Sequence, residues 1–80
     1  MTDIQVGHRY TDGKGQIREV VARGPQFVLF RGQQDTDCLR YRLVAQASRS
    51  YSTFKVGEEY NCTVRSFAAW VKEEVYGCLF

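Results

Sequence analysis

From Cys38 to Ala45 the side chains alternate, with Leu39, Tyr41, Leu43 and Ala45 on one side and Cys38, Arg40, Arg42 and Val44 on the other. Such a pattern marks a strand with one face in the core. The chain must therefore build a sheet with an apolar face, under which the first set packs while the two arginines face solvent. Later the period changes. Val64, Phe67, Ala68, Val71 and Val75 fall on one face of a helix of about three turns, predicting a helix over about 64–75. Thr63 or Ser66 can cap its start and Gly77 stands where a helix commonly ends. Trp70 extends the buried face, Glu73 and Glu74 flank its outside, and 76–80 is a short apolar tail.

Between the chain's start and this helix, turn chemistry divides the sequence. Asp12-Gly13-Lys14-Gly15 is a dense turn signal separating a short His8-Arg9-Tyr10 strand from a longer one over Gln16 to Arg23. In that second strand two adjacent valines, Val20 and Val21, blur the alternation. Gly24-Pro25 ends it, since proline lacks the donor a ladder needs. Phe27-Val28-Leu29-Phe30 reads as a continuous buried strand, and Gly32 to Asp37 as the loop of a hairpin leading into the alternating strand. Gln46 to Thr53 has no period and reads as a loop, within an insertion over 46–55. Val56-Gly57-Glu58-Glu59-Tyr60 then echoes Val6-Gly7-His8-Arg9-Tyr10, each marking a glycine turn that feeds a strand and packs its tyrosine.

These elements amount to a mainly β, α+β fold: a small antiparallel, SH3-like half-open barrel of four to five strands within 8–63, capped by one C-terminal helix. With 80 residues the chain makes a single domain, 1–80, which excludes two-domain enzymes. Its 44% hydrophobic content and net charge of +2 exclude disorder. A chain of this length buries only about 60–65% of its unfolded surface, so most apolar side chains are needed for the core.

The order of features resembles small, uncharacterised proteins of phages, prophages and plasmids with compact SH3-like barrels. The resemblance rests on Ile17-Arg18-Glu19-Val20-Val21, on Leu39-Arg40-Tyr41-Arg42-Leu43, and above all on the run from Glu59 to Trp70 with its Ser66-Phe67-x-x-Trp70 step. It implies a fold and a mobile-element setting, and no activity. The hairpin over Phe27 to Val44 and the 46–55 insertion depart from the pattern.

Charge supplies the main functional clue. The first 37 residues balance, Cys38 to Gly57 carries Arg40, Arg42, Arg49 and Lys55 with no acid, and Glu58 to Phe80 is net −2. If the fold keeps these segments apart, it has a basic side and an acidic side. Arg40, Arg42, Arg49, Tyr51 and Lys55 then form a basic and aromatic surface suited to weak, salt-dependent nucleic-acid binding. The same residues suit a protein interface or self-association against the acidic side, because interfaces enrich tyrosine and arginine. Two arginines on an exposed strand face are also ordinary solvated charge.

Catalysis has little to stand on. His8 is the sole histidine, Glu58 and Glu59 point to opposite faces of a strand, and Gly13-Lys14-Gly15 lacks the second half of a phosphate loop. Three widely spaced cysteines with no Cys-x-x-Cys pair argue against a zinc site or a disulfide framework. No cofactor, metal site or membrane span is expected, and the default location is the cytoplasm.

Overall fold

The computed structural model describes residues 4–46 and 55–75. Among these residues the chain forms strands β1 (Arg9–Thr11), β2 (Ile17–Arg23), β3 (Cys38–Ala45), β4 (Glu59–Thr63) and β5 (Glu73–Val75), and helix α1 (Val64–Trp70). A single 3₁₀ turn, Pro25–Phe27, follows β2. The strands make one antiparallel sheet in the order β4-β3-β2-β1-β5, compatible with a small open barrel.

The alternating segment is β3, the strand on which β2 and β4 both pair. Leu39, Tyr41 and Leu43 are buried as expected, and Arg42 is exposed. Cys38 departs from the pattern. It is fully buried although it belongs to the arginine side, because the segment before β3 covers it, with Gln33 Nε2 3.3 Å from its sulfur. The blurred alternation of Val20 and Val21 has a structural cause. Val20 pairs with Tyr41 and Ala22 with Arg40, so Val21 is an extra residue in β2. Val44 is the matching extra residue in β3, since Ile17 pairs with Ala45 and Arg18 with Leu43. Bulges of this kind bend strands and increase twist, which favours a curved sheet that can wrap its core.

Two expectations are corrected. Phe27 to Phe30 is not a strand, and the hairpin over Phe27 to Val44 does not form. A strand there has no slot, for β2 is flanked by β1 and β3, and β3 by β2 and β4. The run becomes the 3₁₀ turn and an irregular loop, with Leu29 and Phe30 exposed. The helix is also shorter than 64–75. Thr63 caps it as expected, its hydroxyl accepting from the Ser66 N–H at 3.1 Å, but it stops at Trp70. Val71 turns extended, with its N–H still donating to the Phe67 carbonyl, and the Lys72 N–H bonds the Thr11 carbonyl. Glu73 to Val75 then pair with β1 as β5 instead of continuing the helix. Pairing covers an edge of β1 that would otherwise be open, and β-branched valines tolerate the extended backbone well. The 76–80 tail and most of the 46–55 insertion lie outside the described residues.

The core sits between the sheet and α1. Ile4, Tyr10, Val20, Leu39, Tyr41 and Phe67 form its buried cluster, with Trp70, Tyr60 and Cys62 packed partly buried against it. Phe67 is the hub: its ring meets Tyr10 edge-on at 5.7 Å, Tyr41 at 5.7 Å and Trp70 at 5.3 Å between centroids. Offset and edge-to-face pairs of this kind contribute about 0.5–1.5 kcal/mol each beyond area burial.

Candidate binding surfaces

Of the residues proposed from charge and aromaticity, Arg40 and Arg42 lie on β3 and Lys55 just before β4, while Arg49 and Tyr51 lie outside the described residues. The basic and acidic segments are not kept apart here, because β4 pairs directly with β3 and sets Glu59 opposite Arg42. Arg42 reaches Glu59 at 3.2 Å and Arg40 approaches the same carboxylate at 3.9 Å. Arg40 also donates from Nε to Asn61 Oδ1 at 2.9 Å, and its guanidinium carbon lies 5.1 Å from the Phe27 ring centroid. One carboxylate thus serves two guanidinium groups. Arg42 and Lys55 are exposed and Arg40 is half-buried, and Glu59 offsets part of the charge of the two arginines. Exposed pairs of this sort are worth about 0–1 kcal/mol, so they leave the arginines available to a competing anion at low salt.

A second surface arises where sequence reasoning expected a buried strand. Leu29 is 58% and Phe30 63% exposed, side by side in the loop between β2 and β3. The loop is tied by its own hydrogen bonds: the Leu29 N–H donates to Gln33 Oε1 at 2.9 Å and the Gln33 N–H to the Phe30 carbonyl at 3.3 Å. Gly32, with φ of 86°, supplies the left-handed turn between them. The two apolar side chains are therefore displayed on a bonded turn, with exposed Arg31 next to Phe30. A continuous apolar run looks the same in sequence whether it is buried or displayed, and the turn chemistry of Gly32 and Gln33 was the available signal.

The third arrangement draws on three distant segments. Arg18 pairs with Leu43 in the sheet and lies two residues from buried Val20, which directs it toward the apolar face. Its guanidinium carbon lies 3.9 Å from the Trp70 ring centroid, 4.5 Å from that of Tyr41 and 5.9 Å from that of Phe67. Its Nε donates to Gln16 Oε1 at 2.6 Å. Burial lowers the Arg18 pKa, opposed by attraction from Tyr41, Cys62 and Asp12; burial likewise raises that of Tyr41, opposed by Arg18. Nothing in a one-dimensional reading joins Arg18 to Tyr41 and Trp70, so this cluster was not foreseen.

His8 lies beside Glu74, with Nδ1 2.9 Å from Oε2. No three His, Cys, Asp or Glu side chains come together as a metal site among the described residues. No helix of the described residues is long and apolar enough to cross a membrane. In comparisons with known proteins, no family model, curated protein or solved structure matches this chain.

Proposed function

We propose that this chain is a small non-enzymatic binding module whose partner is a protein. The observation that carries this reading is the display of Leu29 and Phe30 on a hydrogen-bonded turn. Val6 and Val56 are also exposed, but Leu29 and Phe30 are adjacent and so form an apolar patch, the kind of surface a partner covers. A preformed turn lowers the ordering cost of binding, and an aromatic ring beside an arginine is the composition of an interface anchor. The sheet order, with a helix between β4 and β5, supports an SH3-like reading of the barrel. The mobile-element setting and the cytoplasmic location stay as the sequence suggested them.

Weak nucleic-acid binding through Arg40, Arg42, Arg49, Tyr51 and Lys55 has less support, since Glu59 offsets part of the charge of Arg40 and Arg42. The two readings separate in one set of measurements. A Leu29→Ser/Phe30→Ser variant should keep its melting temperature yet lose the protein it retains from an extract of its source, or lose concentration-dependent self-association in sedimentation. An Arg40→Ala/Arg42→Ala variant should retain both. A DNA or RNA gel shift at low salt that disappears in the arginine variant, with no protein retained by the wild type, would overturn the proposal in favour of nucleic acid.

A further inference from the structure

Arg18 differs from the other paired arginines of this sheet. Arg9 pairs with Glu19 at 2.9 Å, Arg23 with Asp37 at 3.0 Å, and Arg40 and Arg42 share Glu59. Arg18 is half-buried on the core side of β2 and has no carboxylate at salt-bridge distance among the described residues. Taking a cation out of water without a counter-ion is costly. The rings of Trp70 and Tyr41 compensate in part, because their quadrupoles attract the guanidinium, whose carbon lies 3.9 and 4.5 Å from their centroids. Among the described residues, such a site is positive and holds no carboxylate against the guanidinium.

We propose that Arg18, held between Trp70 and Tyr41, is a receptor for a carboxylate carried by a polypeptide. The reading of the module as a protein binder supplies the source of that carboxylate, and the chemistry of the cluster supplies the rest. A guanidinium fixed by stacking presents its remaining N–H groups as a planar fork, which matches a carboxylate in two parallel hydrogen bonds. No other Lys or Arg of the described residues stacks on these rings. One positive charge matches one monoanion, whereas a nucleic-acid backbone calls for a row of cations. Trp70, half-buried and in contact with Arg18, provides apolar surface beside the fork for the stem of an acidic side chain or its neighbour.

The site carries its own reporter, because Trp70 is the chain's sole tryptophan and touches Arg18. The experiment is a titration of the full chain with poly-L-glutamate, followed by tryptophan emission at low salt, with single-stranded oligonucleotide and inorganic phosphate as separate arms. Poly-L-glutamate should change the emission saturably and salt-dependently. Arg18→Gln should lose that response, and Arg18→Lys should weaken it by about tenfold, since it keeps the charge and loses the fork. A neutral glutamine-containing peptide of matched length should be silent with the wild type, which keeps the test decisive even if Arg18→Gln fails to fold. A wild type that ignores poly-L-glutamate, a folded Arg18→Gln that responds equally, or a response confined to oligonucleotide or phosphate would each overturn the proposal. The Leu29→Ser/Phe30→Ser variant should respond as the wild type does. Failure of the Arg18 site would therefore leave partner capture by the loop intact, and failure of the loop would leave this response intact.

Discussion

The two Val-Gly-x-x-Tyr segments, 6–10 and 56–60, build the same turn bond for bond, yet bury it to different depths. In the first, the Gly7 N–H donates to the Val20 carbonyl at 2.7 Å and the His8 carbonyl accepts from Val20 at 3.0 Å. In the second, Gly57 donates to Leu43 at 2.8 Å and Glu58 accepts from Leu43 at 3.0 Å. Each tyrosine hydroxyl accepts from the backbone N–H five residues earlier, Gln5 in one case and Lys55 in the other, both at 2.8 Å. The two glycines share a positive φ, 88° and 91°. Tyr10 is nonetheless fully buried beneath Phe67, while Tyr60 is half-buried against Tyr41. The difference lies in topology. β1 is flanked by β2 and β5, whereas β4 stands at the end of the sheet order. Local sequence dictates the turn, and the place of its strand dictates how much the tyrosine contributes.

Truncating the tyrosines should break the symmetry most. Tyr10→Ala should cost about 3–5 kcal/mol and Tyr60→Ala about 1–2 kcal/mol, read as denaturant midpoints. Equal losses would show that β4 is covered as deeply as β1. Replacing the glycines should restore the symmetry instead. An added Cβ at Gly7 or Gly57 meets no atom within 4 Å, so the cost is backbone strain alone, about 1–2 kcal/mol for either alanine variant. Unequal costs would mean that the turns are not equivalent.

The hydroxyls give a finer test. Tyr10→Phe removes a part-buried bond from the Gln5 N–H to a fully buried tyrosine and should cost about 1–2 kcal/mol, while Tyr60→Phe removes an exposed bond from the Lys55 N–H and should cost less than about 1 kcal/mol. The smallest effect concerns Cys62, two residues beyond Tyr60. Burial raises its thiol from 9.0 to about 11, with Arg18 pulling the other way less strongly. The folded state holds this proton to higher pH than the unfolded chain. Its contribution to stability should therefore be complete below pH 9 and fall as pH rises from 9 to 11. Alkylation of Cys62 at about pH 8, followed by peptide mapping, should be slower in the folded chain than in denaturant. Equal rates would indicate that the second turn and its strand open readily.

Legibility in the sequence followed the range of the interactions involved. The alternation of β3, the Thr63 cap and both glycine turns depend on residues a few positions apart, and all were readable. Val71 and Val75 fit a helical stripe as well as they fit an extended segment. The choice fell to β1, whose edge bonds Lys72 and the residues after it. Phe27 to Phe30 has strand composition but no strand to pair with, and that becomes visible only once β2 is seen beside β3. For the candidate sites the same rule holds. Arg40 and Arg42 could be placed on one face from spacing, whereas their shared carboxylate, Glu59, required the pairing of β3 with β4. In the sequence Arg18 is one residue of the Gln16 to Arg23 strand, and its partners Tyr41 and Trp70 come from elsewhere in the chain.

The junction of β4 and α1 contains no linker: Thr63 ends the strand and Val64 begins the helix, with the Val64 N–H anchored to the Asp37 carbonyl at 2.8 Å. Strand and helix are in effect one rigid lever. Because each added helical residue turns the face by about 100°, the chain length at this point encodes the azimuth of α1. One residue more or fewer would swing Phe67 out of the core and carry the Trp70 ring away from Arg18. The hub of the fold and the proposed receptor therefore share a single mechanical setting, and the chain can change its loops far more freely than it can change this join.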